Sequence, residues 1–490
     1  MAGRLTTPRV LHMAMLAFAA VLSVVAAEEE EEIKVSSLNM GVALMLLGSI
    51  GFIMLLCYLM FHPDKDIRLY SWKVICATIS IFVAVLLFQA FDGIVKFLGF
   101  GGTTLTTQLI SRFTQLGVWF TILQVFLAYV CRVCGKQGLP DDKEQREEVL
   151  EKMELDIKCW ATLLGHITGF SSIHAWCTLQ QAVSNSQLGA LLAIPVAGIS
   201  LWGVHIAADC VREKVAAMDG RKDDNEKLWD EEVEETMEDV IGLTLSFMLV
   251  QSLRFGIGGL LPNIEGDLPF GRDLTFAGSV TLAGIGFASA ATVFFRVLSG
   301  RHKDTFVQEM INLVCQFVFA WSIMFTVDAT LERHGMAEEG DELGVVCAAL
   351  IITAVSFGFI FVLDKIADIN TTNPLLDKSI IGCVSTLGIL IGFSWEKCFD
   401  IAVDDIAVEV HQGKGFNVAI PAAITKMVMA IALALFVTPA WRFYILPIVF
   451  QMGGFDKVED EDAEAGTQKK TMRRQATNAG NVIERVEERR

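Results

Sequence analysis

The sequence predicts an all-α polytopic membrane protein with about eleven transmembrane helices after a signal peptide, ten of them in five helical hairpins of the same orientation. Of its 490 residues, 53% are hydrophobic and 20% are charged, whereas soluble chains carry about 25% charge. The apolar residues form blocks of roughly 20, the length of a membrane-spanning helix. Short charged stretches separate these blocks, which excludes a soluble enzyme, a disordered chain and a disulfide-built secreted domain.

The N-terminus predicts a signal peptide over residues 1–27. Arg4 and Arg9 precede an apolar run, and the small residues at the end of that run predict cleavage after Ala27. An uncleaved first helix is the alternative. After cleavage, residues 28–37 form an acidic segment on the non-cytoplasmic side.

The transmembrane bundle is predicted over residues 38–440. Its eleven spans lie near 38–61, 72–98, 109–133, 159–183, 188–211, 238–261, 273–298, 306–331, 342–367, 378–407 and 417–440. Lys and Arg concentrate in alternate loops, while the short loops 99–108 and 184–187 have none. By the positive-inside rule the N-terminus is non-cytoplasmic and the C-terminus cytoplasmic, in a secretory-pathway or plasma membrane.

The C-terminal tail is predicted over residues 441–490 and faces the cytoplasm. From about residue 454 it is charged and poor in apolar residues, which predicts disorder. An apolar stretch near its start, 442–454, predicts a segment at the membrane interface. The tail is also a candidate binding segment for a cytoplasmic partner.

A repeat of helical hairpins is indicated by matching segments about 72–85 residues apart. The hairpins are 72–133, 159–211, 238–298, 306–367 and 378–440. The strongest match pairs Phe319-Ala320-Trp321 with Phe393-Ser394-Trp395, 74 residues apart. Interfacial aromatic belts are the alternative explanation. A true repeat places five parallel hairpins around an axis along the membrane normal, as a ring or an arc.

Acidic residues are predicted at the outer mouth of the bundle. They are Asp92, Glu396, Asp400 and Asp404. The last three are spaced four residues apart and therefore share one helix face. They form either a solvated helix end or an acidic vestibule that concentrates cations.

A polar path through the membrane is predicted along the first helix of each hairpin. Its residues are Gln89, His174, Gln251, Arg254 and Lys397. Polar and ionisable groups inside a bilayer are costly and mark functional sites, although hydrogen bonds that merely join helices are the alternative. Arg254 opposes cations unless an acid neutralises it, so the sign of the solute stays open.

A third cluster is His166, His205 and Asp209, which the two helices of one hairpin bring to a common depth. Two imidazoles and a carboxylate suit a divalent metal or a proton relay, and histidines that simply bond between helices are the alternative. No phosphate-binding, nucleophile-elbow or zinc-protease motif is found, so neither an enzyme nor a cofactor is predicted. The net charge of −18 and the lack of a basic stripe exclude nucleic acid.

The function that these features predict is a channel or transporter for a small, cationic solute, with the path along the first helices. Its partners are the lipid bilayer and the solute or ion. The alternative is a non-transporting scaffold or membrane-shaping protein, whose polar residues only hold the bundle together.

Overall fold

A computed structural model describes most of the chain between residues 37 and 452. The described residues are 37–133, 140, 142–184, 186–216, 223–269, 272–298, 306–335, 342–369, 374–413 and 420–452. Over these residues the fold is all-helical, without a β-strand. The predicted signal peptide, nearly all of the acidic segment and the tail beyond residue 452 lie outside the described residues.

The helices follow one another with short connections. They are α1 Ser37–Met60, α2 Lys65–Phe97, α3 Leu105–Val130, α4 Lys143–Ala182, α5 Gln187–Ala216, α6 Asp224–Gly258, α7 Phe276–Leu298, α8 Phe306–Arg333, α9 Glu342–Ile369, α10 Pro374–His411, α11 Ala422–Ala440, a π-helical turn Trp441–Ile445 and α12 Leu446–Gln451. Each predicted span overlaps one of α1–α11.

Nine of the helices in the described chain are long and apolar enough to cross a membrane. The protein is therefore a multi-pass integral membrane protein. The helices α1 and α4 do not meet this criterion. In α1 the described apolar stretch, Leu46–Met60, is short.

The helix α4 is more polar than the nine candidate spans, and it lies inside the bundle. Its residues Thr168, Ser171, Ser172 and Gln180 are almost completely buried. The amide of Gln180 donates to the carbonyls of Ala190 and Met248 and to the Ser252 hydroxyl, which satisfies it away from water. A helix that neighbouring helices shield from lipid does not need an apolar surface.

The first helices of the five predicted hairpins form a closed ring. Contacts join α2 to α4, α4 to α6, α6 to α8, α8 to α10, and α10 back to α2. First helices that are not adjacent in this ring make no backbone contact with each other over the described residues. We call these five the inner helices. Their C-terminal halves line one cavity, so the five run parallel.

The second helices of the hairpins, α3, α5, α7, α9 and α11, pack outside the ring. Each contacts the inner helix of the following hairpin more extensively than that of its own hairpin: α3 packs on α4, α5 on α6, α7 on α8, α9 on α10, and α11 on α2. The helix α1 lies outside the ring against α9 and α2. Every hairpin therefore overlaps the next one.

Close packing of α10 on α2 depends on two glycines four residues apart, Gly388 and Gly392. A Cβ atom at Gly392 would lie 2.8 Å from Thr78 Cα and 3.1 Å from Thr78 O. These neighbours are backbone atoms and cannot rotate away. Small residues at this spacing let membrane helices approach closely.

We expect Gly392→Ala to lower the free energy of unfolding by about 1–3 kcal/mol, because the added methyl group forces α10 away from α2. The measurement is the midpoint of thermal unfolding in detergent. Gly358→Ala on α9 is the control, since nothing lies within 4 Å of its Cβ position, and alanine favours a helix. Equal midpoints for the two variants would contradict the packing described above.

The chain after α11 differs from the sequence prediction. Residues 442–454 were expected in the tail, at the membrane interface; their position relative to the membrane stays a prediction, but the π-helical turn and α12 pack against α2 and α4 as part of the bundle. Trp441 is buried beside Cys76 and Cys159, and the Arg442 guanidinium donates to Asp156 at 2.5 Å. The bundle therefore extends at least to residue 452.

Candidate functional site

A cavity of about 1070 Å³ lies inside the ring, near the ends of the inner helices. All five inner helices line it, together with α9 and the loop between α6 and α7. We call this end of the bundle, where the hairpin loops lie, the hairpin end. In the predicted orientation it is the non-cytoplasmic end.

The cavity is acidic. Among the described residues, seven carboxyl groups and two basic side chains line it. The acids are Glu265, Asp267, Asp273, Asp328, Glu332, Glu396 and Asp400, and the bases are Arg254 and Lys397. A concave surface with an excess of one charge concentrates ions of the opposite sign, and the low-dielectric walls strengthen the effect.

The α6–α7 loop, described over residues 259–269 and 272–275, closes part of the hairpin end. Asn263 gives it a local turn, since its side-chain oxygen accepts from the backbone N–H groups of Glu265 and Asp267. On α4, Gln181 donates to the Pro262 carbonyl at 3.2 Å. Partial burial raises the pKa of Glu265, and the Asp267 carboxylate adds to the rise.

Arg254 anchors this loop to α6. Its guanidinium donates to the Gly266 carbonyl at 2.5 Å and lies 3.6 Å from the Asp273 carboxylate. It also stacks over the Phe325 ring, 4.0 Å from the centroid. Asp273 thus neutralises the charge of Arg254. Because of this pairing, Arg254 does not by itself repel cations from the cavity.

Lys397 connects the loop to the ring at a second point. Its ammonium nitrogen lies 3.7 Å from Asp267 Oδ1 in the loop and 3.8 Å from Asp328 Oδ2 on α8. The ring centroid of Phe393, one turn earlier on α10, is 5.9 Å away. The ammonium group therefore lies among two carboxylates and one aromatic ring.

Gln89 joins α2 to the acidic face of α10. With its amide nitrogen facing α10, it donates to Asp400 at 2.8 Å and to Glu396 at 3.1 Å. The Glu396 side chain is 1% exposed. Two of the predicted mouth acids therefore lie inside the ring on the cavity wall.

Aromatic side chains close the deep end of the cavity. The Phe170 ring stacks on Phe393 with centroids 5.7 Å apart, Trp321 contacts Phe393 at 5.4 Å, and Phe247 contacts Trp321 at 5.1 Å. Since α4 and α10 are not neighbours in the ring, the Phe170–Phe393 contact crosses its interior. We call Phe170, Phe247, Trp321 and Phe393 the aromatic layer.

Not all predicted site residues reach the cavity. Gln89, His174, Arg254, Lys397, Glu396 and Asp400 line it. Gln251 is buried beside it and accepts from Arg254 at 3.4 Å.

Asp92 and Asp404 lie outside the cavity lining. Asp92 is 5% exposed and accepts from Arg112 at 2.5 Å and from Gln115 at 3.2 Å, with Lys96 at 2.9 Å. It therefore joins α2 to α3. Asp404 pairs with Lys426 of α11. The positions of Asp92 and Asp404 differ from the predicted acidic vestibule, because these carboxylates face neighbouring helices rather than the ring interior.

The structure does not bring His166, His205 and Asp209 together. His166 and His205 are buried on α4 and α5, whereas Asp209 pairs with Arg212 at 3.2 Å. Among the described residues, one group of three potential metal-ligating side chains has its ligand atoms within 4.8 Å of one another. This group is Asp64, Asp66 and Asp364. The predicted metal or proton site therefore gains no geometric support.

Sequence reasoning missed five of the seven acids that line the cavity, Glu265, Asp267, Asp273, Asp328 and Glu332. The first three lie in a loop, where helical periodicity offers no signal. Asp328 lies within an apolar helix, and the rarity of ionisable groups there could have identified it.

No protein-family model, curated protein or solved structure shows significant similarity to this chain. Its fold and site therefore define it as a multi-pass membrane protein with an acidic cavity in a ring of five inner helices.

Proposed function

We propose that the protein is a channel or transporter for a small cationic solute, which enters the ring from the hairpin end. The acidic cavity is the observation that supports this proposal most directly. Interhelical bonding alone does not require seven carboxyl groups around a space of about 1070 Å³. That volume is in the range of small-molecule sites, and the excess of acid favours a cation.

The aromatic layer supports a closed state of the path. It lies three to seven residues before the charged lining on the inner helices, which is about 5–10 Å deeper. Apolar constrictions of this kind stop ion flow because water leaves them. In this proposal the solute waits in the cavity until the layer opens.

We also propose that the five hairpins are copies of one repeated unit. The closed ring and the overlap of each hairpin with the next favour this, since identical units related by rotation pack in the same way. With α1, the hairpins make eleven spans. A cleaved signal peptide and the positive-inside bias favour a non-cytoplasmic hairpin end.

The test is flux of K⁺, methylammonium and Cl⁻ into liposomes that contain the purified protein. We expect cation flux in the wild type, and about a tenfold or greater loss in the double variant Glu396→Gln/Asp400→Asn, because the cavity then attracts cations less strongly. Asp404→Asn is the matched control. It makes the same chemical change one turn further along α10, where the carboxylate faces Lys426.

A non-transporting scaffold remains the second candidate function. It is favoured by Gln180, whose amide bonds to α5 and α6 and is fully used in joining helices. Cation flux no greater than that of empty liposomes, in both the wild type and a variant with an opened aromatic layer, would favour the scaffold. Flux of Cl⁻ alone would overturn the proposed sign of the solute.

A further inference from the structure

The surroundings of Lys397 have the composition of a binding site for an ammonium group. Two carboxylates from different elements, Asp267 in the α6–α7 loop and Asp328 on α8, lie on either side of the Lys397 ammonium nitrogen. The Phe393 ring lies beside it. Carboxylates and aromatic faces are the groups that proteins use to recognise organic ammonium ions.

Lys397 is held more loosely than Lys158, another largely buried cation. Its two carboxylate contacts are 3.7 and 3.8 Å long, beyond the range of about 2.7–2.9 Å for charge-assisted hydrogen bonds. By contrast, Lys158 lies 2.6 Å from both Glu232 and Glu235. The contacts of Lys397 are therefore electrostatic rather than directional, which favours exchange.

The cavity gives a solute access to this position. Lys397, Asp267, Asp328 and Phe393 all belong to its lining, and the side chains of Lys397 and Asp328 are each 29% exposed. A small organic cation in the cavity therefore meets the same carboxylates that hold Lys397.

We propose that Asp267, Asp328 and Phe393 form a binding site for the primary ammonium group of a small organic cation, and that Lys397 occupies this site as a tethered competitor. This inference rests on the proposed function and names the class of its solute. When a solute displaces Lys397, the α6–α7 loop loses its connection to α10 but keeps the one that Arg254 provides. Binding is thereby coupled to release of one side of the loop.

The test is calorimetric binding of n-propylammonium to Lys397→Ala and to the wild type in detergent. The substitution removes three carbon atoms and an ammonium group from the side chain, and the probe supplies the same number of carbon atoms and an ammonium group. If Lys397 occupies the site in about nine molecules out of ten, its removal raises the apparent affinity about tenfold. Lys152→Ala is the matched control, because it removes a lysine that pairs with the exposed Glu148 and does not line the cavity, and it should bring no gain.

A second variant keeps the test independent of folding. Lys397→Leu retains an apolar stem as far as the δ carbon and vacates the positions of the ε carbon and the ammonium nitrogen, so it should show a similar gain for methylammonium, which has these two atoms. Adding Asp328→Asn to either variant should abolish the gain. The neutral probe n-propanol and K⁺ at equal ionic strength should bind no better to the variants than to the wild type.

Equal affinity of the wild type and both Lys397 variants for the ammonium probes would overturn the inference. An equal gain for K⁺ would overturn it too, because the site would then be a general cation site. The measurement does not depend on flux. Loss of ammonium binding with K⁺ flux intact contradicts this inference alone, whereas absence of flux for every cation contradicts the proposed function.

Discussion

Arg254→Met is expected to lower the free energy of unfolding by about 3–5 kcal/mol, because it removes one partner of a buried, charged contact. The Asp273 carboxylate would lose its cation, and the Gly266 carbonyl would lose its donor. Of the side-chain contacts described for the α6–α7 loop, those with Lys397 and Gln181 would then remain. Thermal unfolding in detergent, followed by tryptophan fluorescence, measures the change.

Lys152→Met is the control for this prediction, since it also replaces a cation by methionine. Lys152 contacts Glu148 at 2.7 Å, but both side chains are exposed, and exposed pairs contribute little to stability. We expect its midpoint to match that of the wild type. If the thermal unfolding midpoint of Arg254→Met also matches that of the wild type, the contacts of Arg254 do not stabilise the fold.

Trp321→Ala is expected to raise cation flux through liposomes by about tenfold or more. Trp321 connects Phe247 to Phe393 across the aromatic layer, and its removal leaves a gap that water can enter. A hydrated constriction conducts where a dry one does not. The measurement is the flux assay described for the proposed function.

Trp395→Ala separates this effect from lost stability. Trp395 lies on the outer side of α10, where it contacts Phe52 and donates to the Thr353 hydroxyl at 2.9 Å. Both substitutions remove a buried tryptophan and should cost about 3–5 kcal/mol of stability, but only Trp321→Ala should raise flux. Equal flux from the two variants would contradict an aromatic gate.

The helices themselves could be predicted from the sequence, because blocks of apolar residues report the thickness of the bilayer. Even α4, which is too polar to meet the criterion for a span, was predicted as a helix. Its extension to Lys143, and that of α6 to Asp224, follow the mixed charges that stabilise exposed helices. What apolar blocks cannot report is which helix lies next to which.

Rotation about the helix axis was the weaker part of the prediction. The aligned motif equates Trp321 with Trp395, yet Trp321 faces the ring interior and Trp395 faces α1 and α9. By its surroundings, Trp321 corresponds not to Trp395 but to Phe393, which lies two residues before Trp395 on α10. Two residues are about 200° of rotation on a helix, so a small error of register exchanges the inside for the outside.

The candidate site could be predicted in part. Residues on the inward faces of the inner helices, such as Gln89, His174 and Lys397, do line the cavity. Asp92 lies outside the cavity lining because its partners Arg112 and Gln115 are on α3, and a contact between two helices leaves no periodic pattern within either of them. The loop acids were missed because helical periodicity offers no signal in a loop.

The overlap of each hairpin with the next has a consequence for the order of assembly during synthesis. The second helix of each hairpin packs mainly on the inner helix that follows it in the chain. The exception is α11, which packs on α2. While the chain emerges, each newly inserted hairpin therefore covers the one before it, and the growing bundle stays an open arc. Closure awaits α10 and α11, which must return to α2, inserted long before them. Until those last helices are made, no enclosed cavity exists and the membrane keeps its barrier.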